Sequence, residues 1–390
     1  MKLHQHRSIV RSAAVGAGVL AVAASLAACG SDNTKTGTTG GSSTSPSGSS
    51  SSPSGSSSSA ANIACGSGTL TGQGSSAQNT ALTKFVKDYQ LACGSGSTVN
   101  YTPNGSGPGV NAFIGKQADW AGSDYPLNAD QQKTADARCG TGNKAISIGT
   151  IPGAIAVMYN VPGADTLNLS AATLGKIFDG KITNWSDAAI TADNGGKALA
   201  SLPIQAFHRG DGSGTSFNFS NYLNAIAPDA FPHAANKQWP GGGGQGVTGS
   251  KAVATSVSTT SGGIGYAEVS FATAAKLKTA AIGNKAGKFV PLTIPNAAEF
   301  ITKANVDTAN GNLKFNFDYS VSEDNAYPAV LVTYEIACAT GNDSAKLPEL
   351  KGFLGYLASS AAQTQLTDLG YVALAPDQAT KVAAAFSALS

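Results

Sequence analysis

The sequence predicts an α/β protein of two lobes, and three observations predict it. A strand, a loop of small hydroxyl residues and glycine, and then a helix or turn recur three times between residues 69 and 126. Two apolar, β-branched runs, residues 146–159 and 329–338, lie far apart in the chain, so one can cross between lobes as a hinge and the other can return. The chain from about Ile63 onward is long enough for two lobes of ordinary size.

Ahead of that point the composition is different. Lys2, Arg7 and Arg11 form a basic start and residues 13–28 a small-residue apolar stretch, the pattern of an export signal over residues 1–28. It ends Leu26-Ala27-Ala28-Cys29-Gly30, which resembles the lipobox of bacterial lipoproteins and implies that Cys29 carries a lipid. Such an anchor tethers a protein to a membrane without spanning it. Residues 30–61 hold fourteen serines and six glycines among thirty-two positions, too little apolar surface for a core. As a flexible coil this linker would span roughly 30 Å.

The elements follow in order. Residues 69–74 read as a strand leading to Ser75-Ser76, with residues 77–89 helical through Leu82, Phe85, Val86 and Tyr89. A second strand, 98–102, leads to Asn104-Gly105-Ser106-Gly107 and a helical run at 110–114; a third, 118–121, leads to Gly122-Ser123-Asp124. Residues 169–178 and 185–192 are expected as helices, 241–244 as a mobile glycine loop, 250–259 as a helix, and 262–271 as a buried strand. Helices at 345–357 and 377–388 close the chain, the second just after Pro376. In a parallel α/β sheet the loops after the strands gather at one edge, where ligands bind.

The most informative loop follows the strand at 204–207 and reads HRGDGSGTSF, His208 to Phe217. Glycines and small hydroxyls running into Phe217, Tyr222 and Leu223 mark a helix N-terminus, which suits an anion. Arg209 beside it strengthens that reading. A net charge of +2 over 390 residues, with only 12% charged, argues against a polyanionic partner such as nucleic acid. Four cysteines remain after Cys29, namely Cys65, Cys93, Cys139 and Cys338. In an exported chain they suggest two disulfides with three possible pairings. None has metal-ligand spacing and only His208 and His233 follow the leader, so neither a metal nor another cofactor is expected.

Together the motifs GQGSSAQN, VNYTPNGSGPGVNAF, ADWAGSDYPL, LGKIFDGKITNW, HRGDGSGTSF and GGIGYAEVSF, in this order, resemble the phosphate-binding proteins (PstS family) of Pst-type ABC transporters, from about Gly68 to the C-terminus. The resemblance implies a periplasmic-binding-protein type II fold, two α/β lobes joined by a two-stranded hinge. Residues 62–151 plus 328–390 would form lobe I, and 152–327 lobe II. It implies a non-enzymatic receptor that closes on one dehydrated inorganic phosphate and docks, as a monomer, on a membrane permease. Carried over by position, the phosphate ligands would be Ser76, Ala77 (by main chain), Ser106, Asp124, Arg209, Ser213, Gly214 and Thr215, with Asp211 holding the guanidinium. His208, where some members have a second arginine, is left out.

Two further expectations follow. Cys65 precedes the first strand and Cys93 follows the first helix, so both should lie on the amino-edge side, which favours Cys65–Cys93 and Cys139–Cys338. Of the alternatives, a phosphatase-like enzyme would need Ser213 activated by His208 or a metal cluster. A surface or adhesion lipoprotein would bind no ligand at all.

Overall fold

The computed structural model describes residues 63–390. The expected leader of residues 1–28, the lipidated Cys29 and the linker to residue 61 lie outside the described residues. The main strands are β1 (Gly68–Gly74), β2 (Ser97–Thr102), β3 (Trp120–Ser123), β4 (Ala145–Asn160), β5 (Gln205–Arg209), β6 (Gln245–Val247), β7 (Gly263–Glu268) and β8 (Val330–Cys338). They hydrogen-bond in the order β2-β1-β3-β8-β4-β7-β5-β6. Strand β1 runs parallel to β2 and β3, and β5 parallel to β6 and β7. Strands β8 and β4 link these two parallel groups through antiparallel pairings.

Strand β4 serves both groups. Its residues 145–154 pair with β8, and residues 155–160 pair with β7. Every residue of it but Asn160 is buried, which explains why the stretch reads as one continuous apolar run. Pro152 and Gly153 sit inside the strand where its partner changes, so they do not end it.

Two large apolar clusters fill the two sides. One packs Leu70, Phe85, Trp120, Ile148, Ile336 and Phe353, and the other Leu174, Phe178, Trp185, Tyr222, Ile264 and Tyr266. The change of cluster falls between Ile151 and Ala154 on β4 and between Val332 and Leu331 on β8. Leu313 and Phe315, on the hairpin Asn305–Asp307/Lys314–Asn316, pack into the first cluster although they lie between residues 152 and 327.

Several elements differ from the sequence expectation. Residues 75–78 form a turn, and the first long helix is Asn79–Cys93. The expected strand over 262–271 divides into β7 and the helix Val269–Ala274, because the Glu268 carboxylate accepts from Ser270 N at 3.0 Å and caps the helix. The glycines at 241–244 pack closely: a Cβ on Gly243 would come within 2.4 Å of Gly180 N. Their small size therefore serves backbone packing. The helix Ala129–Cys139 was not anticipated, though Asn128 and Gln131 form a capping box at its start.

Disulfides join Cys65 to Cys93 and Cys139 to Cys338, with Cα–Cα distances of 5.4 and 5.5 Å. Among the described residues no helix is long and apolar enough to cross a membrane.

Candidate functional site

The loops that follow β1, β2, β3, β5 and β6 converge between the two parallel strand groups. Parallel strands put their carboxyl ends on a common edge. Three helices open there with Ser106, Gly214 and Ser250 as their first residues. Their leading N–H groups lack intrahelical partners and carry partial positive charge. The groups meet directly: Gly107 N donates to Gly212 O at 2.7 Å and Gly214 N to Ser106 Oγ at 3.1 Å.

Asp124 is buried at the centre. Its Oδ1 accepts from Ser75 Oγ and from Thr333 Oγ1, the latter at 2.8 Å, while Ser106 Oγ and Thr215 Oγ1 each lie 3.4 Å from Oδ2. Burial pushes the carboxyl above its usual pKa, against the pull of these hydroxyls and of the Arg209 charge. Asn218 Nδ2 donates to Asp124 O at 2.6 Å and fixes the loop.

Arg209 is buried at the end of β5 and forms a forked pair with Asp211. Its Nε donates to Oδ1 at 2.7 Å and its Nη2 to Oδ2. Burial alone would raise Asp211, but the hydrogen bonds and charge of Arg209 outweigh it and hold the carboxyl below its ordinary value. Gly249 N adds a third bond to Asp211 at 3.1 Å. The remaining guanidinium nitrogen, Nη1, donates to Ser250 Oγ at 3.2 Å.

The residues singled out in the sequence are placed unevenly. Ser106, Asp124, Gly214 and Thr215 form one cluster, and Ser76 reaches Arg209 through Ser250. Ser213 caps the helix Gly214–Ile226 by accepting from Ser216 N at 3.2 Å. The main-chain N–H of Ala77 is engaged by Ser75 Oγ at 3.0 Å and its carbonyl by Tyr371 OH at 2.6 Å. His208 stacks on Trp239 and its Nδ1 meets Arg209 O at 3.0 Å. The Ser213–His208 pair that a hydrolase would need is not formed.

Sequence reasoning missed Ser75, Ser250 and Thr333. The first two stand in strand-to-helix loops of the kind already singled out, so the signal for them was present. Thr333 lies in the middle of the apolar run of β8 and carries no local signal. Among the described residues no three His, Cys, Asp or Glu side chains are grouped to hold a metal ion.

This architecture, two parallel strand groups on a shared strand pair with oxyanion-type donors between them, is that of a substrate-binding receptor, and the PBP superfamily domain matches residues 59–361. The phosphate-binding protein PstS 3 of Mycobacterium leprae is 35% identical over 394 residues, covering 100% of both chains. The Mycobacterium bovis protein PstS3 is 38% identical over 335 residues, covering 85% of this chain and 90% of its own. The chain belongs to the PstS family of phosphate-binding proteins. Its fold is shared with a high affinity periplasmic phosphate-binding protein, PfluDING, solved with phosphate, at a TM-score of 0.65 and 20% identity, covering 81% of this chain and 93% of that one.

Proposed function

We propose that this chain is an extracytoplasmic receptor that binds inorganic phosphate and delivers it to an ABC importer. The observation that carries the reading is the position of Asp124, a single buried carboxylate ringed by hydroxyls and facing the Arg209 loop. With Asp124 and Asp211 ionised against one arginine, the three charges sum to minus one before any anion enters. Capture therefore rests on neutral donors and helix ends more than on countercharge. The ligands proposed are Ser76, Ala77, Ser106, Asp124, Arg209, Ser213, Gly214 and Thr215.

Discrimination lies in the proton. Hydrogen phosphate carries a P–OH that Asp124 can accept, whereas sulfate offers only lone pairs at neutral pH. Facing those lone pairs with a buried carboxylate costs about 1–3 kcal/mol, and more when both groups are charged.

Residues 62–151 plus 328–390 and residues 152–327 act as two lobes that close about β4 and β8, a hinge motion around the anion. The two apolar clusters, which change over between Ile151 and Ala154 on β4 and between Leu331 and Val332 on β8, support that division. The lipidated Cys29 and the linker would hold this monomer at the outer face of the cell membrane, within reach of a permease. We assign it no enzymatic activity, and turnover of a chromogenic phosphate ester should be absent.

Titration calorimetry tests the reading. One phosphate per chain should bind with sulfate silent at a thousandfold excess. No heat with phosphate, or equal binding of sulfate, would overturn it.

A further inference from the structure

We infer that Ser250 is a positioning residue of this site, which fixes both the Arg209 guanidinium and the direction of the Ser76 hydroxyl; the inference rests on the phosphate-receptor reading above. Ser250 is fully buried at the start of the helix Ser250–Thr259 and bridges the two strand groups. Its Oγ accepts from Arg209 Nη1 at 3.2 Å and lies 2.9 Å from Ser76 Oγ, while its main-chain N–H donates to the same Ser76 Oγ at 3.2 Å.

Two proton arrangements satisfy the contact between the hydroxyls, and one of them leaves the Ser76 hydroxyl to a lone-pair-rich ligand. A guanidinium has five N–H donors and no acceptor, so Ser250 Oγ must receive there. Its own O–H is then free to donate across the 2.9 Å contact to Ser76 Oγ. In that arrangement Ser76 Oγ accepts twice, once from the hydroxyl and once from the main-chain N–H. A serine hydroxyl has two acceptor sites and one proton. With both sites filled, the Ser76 O–H can act only as a donor, which suits a ligand rich in lone pairs.

The same loop immobilises the guanidinium. Asp211 takes Nε and one Nη2 proton, Ser250 takes one Nη1 proton, and Gly249 N ties the loop back to Asp211. Two of the five N–H groups are left for an anion, one on each terminal nitrogen. Because Ser76 comes from the loop after β1 and Ser250 from the loop after β6, this alignment requires the two strand groups to be together.

The test is a double-mutant cycle read by calorimetry with inorganic phosphate on the full chain, with melting temperature followed in parallel. Ser250→Ala should weaken phosphate about 10-fold, the size of a lost hydrogen bond to a charged group. In a Ser76→Ala background the same change should cost clearly less, because part of its effect runs through that hydroxyl. Ser250→Gly carries the same cycle if the alanine variant does not fold. A loss under 2-fold in an otherwise normal chain, or an equal loss in both backgrounds, would overturn the role of Ser250 while leaving the receptor reading intact. A parent chain that gives no heat with phosphate overturns both.

Discussion

A Cβ placed on Gly214 would lie 2.5 Å from the Cβ of Asp124 and 2.7 Å from Ser106 Oγ. Gly214 belongs to the β5 side and the other two to the β1–β3 side, so this glycine sets how near the two can come. Its backbone is not in the left-handed region, so the requirement is one of space. Gly214→Ala should weaken phosphate about 10- to 100-fold, since a buried side-chain clash costs about 1–3 kcal/mol. Small-angle scattering should show the variant failing to compact when phosphate is added.

Asp124→Asn replaces an acceptor-only oxygen with an amide that also donates. Phosphate should weaken and sulfate should gain about 10- to 100-fold, narrowing the ratio between them. Competition calorimetry with both anions measures this directly, and unchanged sulfate exclusion would remove Asp124 as the source of discrimination.

Arg209→Lys keeps the charge but loses the fork that engages both Asp211 oxygens. Phosphate affinity should fall about 100-fold, as expected for a lost charge-assisted pair at a buried site. Asp211→Asn should fall less, because the guanidinium keeps its Ser250 contact.

Two buried carboxyls outside the anion site give a distinctive pH response. Burial pushes Glu268 and Glu335 each up to about 8, partly offset by Ser270 and by Trp120 respectively. Each has one oxygen without a hydrogen-bond partner. The folded chain keeps these protons from about pH 4.5 to about 8, where the unfolded chain has released them. Stability therefore falls as pH rises through that window and levels off above it. Glu268→Gln and Glu335→Gln should raise the melting temperature at pH 8, with the gain shrinking toward pH 5 in calorimetric scans.

Removing the long bridge with Cys139→Ser and Cys338→Ser should cost about 2–5 kcal/mol of stability. Denaturant titration would measure that loss, while phosphate affinity should move less than about 3-fold.

What the sequence made legible was chemistry carried by local pattern. The loop from Arg209 to Thr215 was readable because a buried arginine, its aspartate and a helix start stand side by side. Ser106 and Asp124 were readable through the resemblance, since a serine among glycines and an aspartate before Tyr-Pro are otherwise ordinary turn residues. Thr333 and Glu335 could not be found this way: each is a polar residue in an apolar strand, and only the pairing of β8 with β3 and β4 places them beside Asp124 and Trp120. Boundaries slipped where a side chain intervened, as at Glu268, which ends a strand and caps a helix in one position.

The Cys139–Cys338 bridge spans 199 positions and encloses the chain that forms β4 to β7 and most of β8. In terms of connectivity, one half of the receptor is a closed ring hung from the other. A protease that cut any single peptide bond inside that ring would leave both fragments covalently attached, so in an oxidising environment a nicked receptor would stay one molecule.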